Sequence, residues 1–263
     1  MNELLADPAF VAVATVAVLI TGISKGGFGG MALLAVPLMS LVISPIQAAG
    51  IMLPIMIPMD VLSIWVYRKQ WDKGNLTVLL PAAIVGITIG GLTASWVNDD
   101  IVRLLVGIIA VVFIIYRFAG MRRNPMPPGG ADNGTRRPPN KAWGAFWGMC
   151  AGFTSFLAHA GSPPYQVYVI PQRLPKAIFA GTSAIFFATM NAIKLIPYGL
   201  LGQLSPTNLT VSAVLLPLVP IGVFLGVYIN RKLREDVFYG ILMAAIFLVG
   251  IRLIWAGVNN LLG

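Results

Sequence analysis

From Pro8 to Ile43 the chain is apolar for 36 residues, broken at one stretch: Gly22-Ile-Ser-Lys-Gly-Gly-Phe-Gly-Gly-Met-Ala-Leu-Leu-Ala-Val-Pro37. As one straight helix these residues would measure about 54 Å, far beyond the roughly 30 Å of a hydrocarbon core. As two complete spans they fall short, because each arm reaches only about 20 Å. Two half-length helices that dip to mid-membrane and return fit the length. In lipid, non-helical glycine-rich backbone survives only against protein or a polar cavity. The rest of the chain must therefore enclose this break.

Composition agrees. Of 263 residues, 57% are hydrophobic and only 10% charged, against about 25% charged in an average soluble domain. This is the composition of an all-α polytopic membrane protein. The net charge of +9 does not point to nucleic acid, because the basic residues sit beside apolar spans. Met-Asn-Glu-Leu-Leu-Ala-Asp at the start lacks the basic region of a cleavable signal, so the first apolar arm is expected to remain. The single cysteine, Cys150, excludes an internal disulfide and reads as a small packing residue.

Further along, Pro45–Tyr67, Leu76–Val97 and Ile101–Ala119 are each long enough for one span. Residues 120–140, rich in proline, glycine and arginine, read as a flexible linker. The pattern then restarts. Trp143–Pro171 is apolar with a break at Leu157-Ala-His-Ala-Gly-Ser-Pro-Pro164, and Ala177–Leu201, Leu209–Asn230 and Val237–Val258 follow as spans. Small motifs recur in order: Ala49-Gly50 and Ala180-Gly181; Asn75-Leu-Thr77 and Asn208-Leu-Thr210; Gly86 and Gly90 with Gly222 and Gly226; Asp100 and Asp236. The expected domains are residues 1–119, a first transmembrane repeat; 120–140, a linker; and 141–263, a second repeat. Each repeat is expected to be a broken re-entrant helical hairpin followed by three transmembrane helices.

Charge sets the topology. With both broken segments as hairpins, 14 of the 18 basic residues fall on one side: Arg68, Lys69, Lys73, those from Arg117 to Lys141, Arg173, Lys176, Arg231, Lys232 and Arg234. That side is cytoplasmic by the positive-inside rule. Eight plain spans put five of the 14 on the other side. In the hairpin arrangement the repeats are inverted, as in many secondary transporters, and both termini are periplasmic.

Candidate site residues follow from what does not belong in lipid. If each tip lies at mid-membrane, its second arm starts there with free amides and a positive dipole end. The amides of Gly26, Gly27, Gly29, Gly30, Gly161 and Ser162 could then hold an anion. Ser162 before Pro163 reads as an N-cap. Lys25, His159 and Lys194 add positive charge, and Thr182, Ser183 and Asn191 could line a route. Asp60 could pair with Lys25 or Lys194, and Asp60 or His159 could couple protons. Blander readings stand beside these. The glycines could serve close packing, favoured for Gly86, Gly90, Gly222 and Gly226. Lys194 could snorkel. His159 could be neutral and backbone-bonded, and Thr182, Ser183 and Asn191 could bond within helices. One histidine and one cysteine cannot build a zinc or haem site, and no G-x-S-x-G, HExxH or P-loop occurs. Neither an enzyme, a metal nor a cofactor is expected.

Lys25-Gly-Gly-Phe-Gly-Gly-Met-Ala-Leu-Leu-Ala-Val-Pro37, Ala49-Gly50 after it and the repeat together resemble the sulfite exporter TauE/SafE family of membrane permeases, which includes toluene sulfonate uptake types. The resemblance implies carriage of sulfite, sulfonate or sulfoacetate across the bacterial inner membrane, with a small sulfur-containing anion and the lipid bilayer as partners and a homodimer left open. His159-Ala-Gly-Ser-Pro-Pro164 departs from the glycines expected in the second repeat. The rival readings are a passive anion channel and a non-transporting membrane assembly subunit.

Overall fold

The computed structural model describes residues 3–28, 31–96, 140–172 and 174–232, with parts of 100–115 and most of 247–260. Every regular element among these residues is helical. Gly29, Gly30, Arg173, Asp236 and the linker up to residue 139 lie outside the described residues, as do parts of the third span of each half.

A short α1 (Glu3–Ala6) leads into α2 (Pro8–Ile23). Asp7 caps α2 by accepting the Ala9 N–H at 2.9 Å. Pro8 occupies the first helical position, where the N–H it lacks would have had no partner. The helix does not stop at the glycines. It widens into a π turn over Ser24–Phe28, which keeps the backbone paired at one-residue-longer spacing. This arm therefore runs about 30 Å, and Pro8–Gly26 alone is long and apolar enough to cross a membrane. The chain returns through a 3-10 turn, Met31–Leu34, and the five-residue α3 (Ala35–Met39). The arms are unequal, one long and one short, where the length argument implies two halves.

Next, α4 (Pro45–Tyr67) is capped by Ser44 and carries Pro54 and Pro58 inside it. The helix α5 (Lys73–Thr93) is capped by Asp72. After the linker, Asn140 caps α6 (Lys141–Ala158), which ends at His159 in the left-handed region, φ 54°. A short α7 (Ser162–Val169) returns the chain and tightens into a 3-10 turn at Ile170–Gln172. The helix α8 (Lys176–Leu200) follows. Last come α9 (Pro206–Leu215) and α10 (Leu218–Lys232). Those two are bent by 49° where Pro217 and Pro220 remove helix donors. Among the described residues four helices can cross a membrane, or five if the bent pair is one span.

The same contacts occur twice. Helix α5 packs along α6, where a methyl on Gly86 would stand 2.0 Å from the Met149 carbonyl. Helix α10 packs along α2, where one on Gly226 would stand 2.4 Å from the Ile23 carbonyl. Gly50 sits under the Gln203 carbonyl and Gly181 under the Gln70 carbonyl. Gln203 follows the end of α8 and Gln70 follows the end of α4, so α4 and α8 lie antiparallel, each starting where the other ends. Asn75 and Asn208 each occupy the third position of a capped helix start and bind a glutamine on another element, Gln172 and Gln47 respectively. Glu3, Gln47 and Pro206 gather at one end of the molecule. Arg68, Lys69 and Lys73 follow the α4 terminus at the other.

Candidate functional site

Halfway along the antiparallel pair, α4 presents Asp60 and α8 presents Asn191. The Asn191 amide donates to Asp60 Oδ2 at 2.6 Å. The other carboxylate oxygen takes the Lys25 ammonium from the π turn, an ion pair with Asp60 only 3% exposed. Both Asp60 oxygens are therefore engaged. The π turn is itself held by α4: the Ser63 hydroxyl shares its one hydrogen between the Lys25 carbonyl at 3.0 Å and the Met59 carbonyl at 2.8 Å, and the Tyr67 hydroxyl donates to the Gly26 carbonyl at 3.0 Å.

The second broken segment is held by α8 in the same manner. The Tyr198 hydroxyl donates to the Phe156 carbonyl at 2.5 Å. Lys194 Nζ reaches the Ser155 carbonyl and hydroxyl, each at 3.1 Å, and His159 Nδ1 at 2.7 Å. These three partners match the three N–H donors of an ammonium. His159 Nε2 lies 3.0 Å from the Ala49 carbonyl. A carbonyl only accepts, so Nε2 carries the ring proton and Nδ1 offers its lone pair to Lys194. His159 is thus a neutral ring joining α6 to α4, held in position by its left-handed backbone. Lys194, at 0% exposure, is buried, and among the described residues it bonds no carboxylate.

Beside this cluster lies a cavity of about 60 Å³, bounded by Lys25, Ser24, Met56, Ser155, His159, Ser162, Ser183, Phe187 and Asn191, with Ala32 and the start of α8 completing it. At roughly 10–15 Å³ per water it holds a few waters or one small oxyanion. Its hydroxyls suit an anion. Ser155 Oγ accepts from Lys194 and Ser162 Oγ accepts from the Gln166 amide at 3.0 Å, so each keeps its own hydrogen to donate. Lys25 Nζ has further donors beyond the one given to Asp60, and stands 5.5 Å from the Phe187 ring centroid.

Of the residues expected at the site, Lys25, His159, Ser162, Ser183 and Asn191 line the cavity. Asp60 and Lys194 stand directly behind it. Thr182 does not face it: its hydroxyl donates to the Ile178 carbonyl at 2.6 Å and accepts the Asp72 N–H at 2.9 Å, fixing the loop before α5. Gly26 packs on the backbone of α10 at Val223 and Val227, and Gly161 on Ala151 and Ser155. Gly27 lies within the π turn. The start of α7 is one residue earlier than expected. Ser162 is its first helical residue, and the Gly161 carbonyl accepts the Tyr165 N–H at 3.3 Å. Pro163 and Pro164 then remove two first-turn amides, so side chains rather than a row of N–H groups supply the donors on this side.

A family model described as sulfite exporter TauE/SafE matches residues 14–253. The chain belongs to the TauE/SafE family. No curated protein and no solved structure matches it. The match runs across both broken segments and the whole lysine cluster, and it places this multi-pass helical chain in a family of membrane transporters.

Ser155, Ser24, Met56 and Phe187 were not singled out in the sequence. One signal does find their neighbours: Met59-Asp60-x-x-Ser63-x-x-x-Tyr67 in α4 recurs as Met190-Asn191-x-x-Lys194-x-x-x-Tyr198 in α8. Both stretches place three polar groups along one helix face at spacings of three and four, and all six touch the opposing broken segment or each other.

Proposed function

We propose that this TauE/SafE protein is a secondary transporter that exports a small sulfur-containing anion, of the sulfite, sulfonate or sulfoacetate class, across the bacterial inner membrane. One observation carries the reading: a buried cluster with one positive charge in excess stands against a cavity edged by free hydroxyl donors. An uncompensated buried ammonium is costly, and an anion in the cavity offsets that cost.

The duplicated contacts support two inverted repeats, residues 1–119 and 141–263, joined by a cytoplasmic linker at 120–140. Glu3 and Gln47 share one end of the molecule, as hairpin entry and exit on one side requires. The basic end, with Arg68, Lys69, Lys73 and Lys141, is then cytoplasmic and the Gln203 end periplasmic. The cavity lies on the basic side of His159, and the His159–Ala49 bond seals the other. Rocking one repeat against the other would reverse that access.

Purified protein in liposomes tests the proposal. Saturable sulfite flux with counterflow is the expected result. Flux that never saturates and shows no counterflow would make it a channel. No flux under any imposed gradient would leave a non-transporting subunit.

A further inference from the structure

Resting on that anion-site reading, the structure also assigns a valence to the ligand. We infer that the site is built for an anion of a single negative charge, and that Asp60 sets this selectivity. Three formal charges meet at the cluster: the ammonium groups of Lys25 and Lys194 and the carboxylate of Asp60. His159 adds none, because its two ring nitrogens are committed to one donor role and one acceptor role. The other described carboxylates serve elsewhere, although Asp72 acts electrostatically on Tyr165, whose hydroxyl bonds the cavity-lining Ser183. Asp7 and Asp72 cap helices, Asp100 binds Asn260, and Glu3 lies at the exposed N-terminal end.

The cluster therefore carries one positive charge. A monoanion such as hydrogensulfite or a simple sulfonate brings it to neutrality. A dianion, as sulfoacetate and fully ionised sulfite are, would leave one negative charge unbalanced in a low-dielectric interior, where that imbalance is expensive. The valence rule thus narrows the proposed class to its singly charged members. Asp60 acts through its neighbours. It does not line the cavity, but it neutralises Lys25, which does. Without the carboxylate the site would hold two positive charges and favour a dianion.

The test reads a ratio of affinities. Methanesulfonate and sulfate are similar in size and tetrahedral shape and differ by one charge. Their dissociation constants are measured by calorimetry on detergent-purified protein at one pH and one ionic strength, since salt screens such terms. Wild-type protein is expected to prefer methanesulfonate at least tenfold. Asp60→Asn should move the ratio at least tenfold toward sulfate. The double variant Lys25→Met, Asp60→Asn restores a single excess charge and should bring the ratio back, even though overall affinity falls with the lost lysine.

A wild-type preference for sulfate overturns the inference, as does a ratio unchanged within threefold in Asp60→Asn. If Asp60→Asn does not fold, the double variant decides, and a sulfate preference in it overturns the inference equally. Failure here is separable from failure of the transport reading. Equal binding of both anions by wild type removes the valence rule alone, while no binding of either anion, with no sulfite flux in liposomes, removes the anion site itself.

Discussion

Lys194→Met removes the buried ammonium while keeping an unbranched apolar side chain of similar length. The ammonium is bonded to Ser155 and His159, both of which line the cavity. An anion that accepted from the Ser155 hydroxyl would lie about 6 Å from Nζ, and at an effective dielectric of about 20 that separation is worth about 3 kcal/mol, or about a hundredfold in affinity. Stability should move much less. Losing the ammonium strands His159 Nδ1, at about 1–3 kcal/mol, while the Ser155 carbonyl keeps the His159 backbone N–H at 3.0 Å. The change also ends the burial of a charge without a counter-charge, which costs several kcal/mol. The melting temperature is thus expected to hold or rise while anion affinity collapses. Tryptophan fluorescence titration with sulfite reads the affinity, and a thermal melt in the same detergent reads the fold. A well-folded Lys194→Met that binds within threefold of wild type would refute the electrostatic account. A lowered melt with unchanged affinity would make Lys194 a structural residue.

The helix contacts give sharper tests of the fold. Gly86→Val would drive a side chain into the Met149 carbonyl 2.0 Å away and should cost at least about 3 kcal/mol through overpacking, seen as loss of a monodisperse gel-filtration peak. Gly199→Ala meets nothing within 4 Å and should instead raise stability by about 0.5–1 kcal/mol, read from the thermal melt. Tyr198→Phe leaves the buried Phe156 carbonyl without its donor and should lower stability by about 1–3 kcal/mol, with the melt again as readout. In a Cys150→Ser background, Lys69→Cys should label from the cytoplasmic side and Thr207→Cys from the periplasmic side; labelling of both from one side would remove the proposed topology.

How far the sequence could carry this depended on whether a residue's role shows in its chemistry or in its neighbours. Lys25, Asp60, His159, Asn191 and Lys194 were visible because a charged or amide side chain inside an apolar span is expensive and so must have a partner. Ser155 and Phe187 were not, because a serine or phenylalanine in a membrane helix is ordinary on its own. Thr182 reads from the sequence either as a lining residue or as one that bonds within its helix. Its hydroxyl does donate to the Ile178 carbonyl, and it also takes the Asp72 N–H, a contact that only the antiparallel placement of α4 and α8 creates. The unequal arms were hidden for a different reason. Glycine is costly in a helix, so Gly26 and Gly27 look like an ending. The π turn keeps them helical because α10 packs against Gly26 and the Ser63 and Tyr67 hydroxyls hold its carbonyls.

The two halves hold their broken segments by matched contacts but place different side chains in them, and the difference is electrostatic. Ser63 reaches the Lys25 carbonyl as Lys194 reaches that of Ser155, and Tyr67 reaches Gly26 as Tyr198 reaches Phe156. Asp60 and Asn191, bonded to each other, occupy the matched position between them. Two copies of the first set, lysine, aspartate and serine, would sum to zero charge and leave nothing to attract an anion. Two copies of the second, serine, asparagine and lysine, would sum to two positive charges with no carboxylate to relieve them. One copy of each leaves a single excess positive charge, and leaves it beside the cavity. The halves differ in charge where their broken segments meet, while the glycines that pack α5 on α6 and α10 on α2 make like helix contacts in both. A scaffold of this kind can alter ligand charge by changing one of three paired positions without disturbing the helix contacts around them.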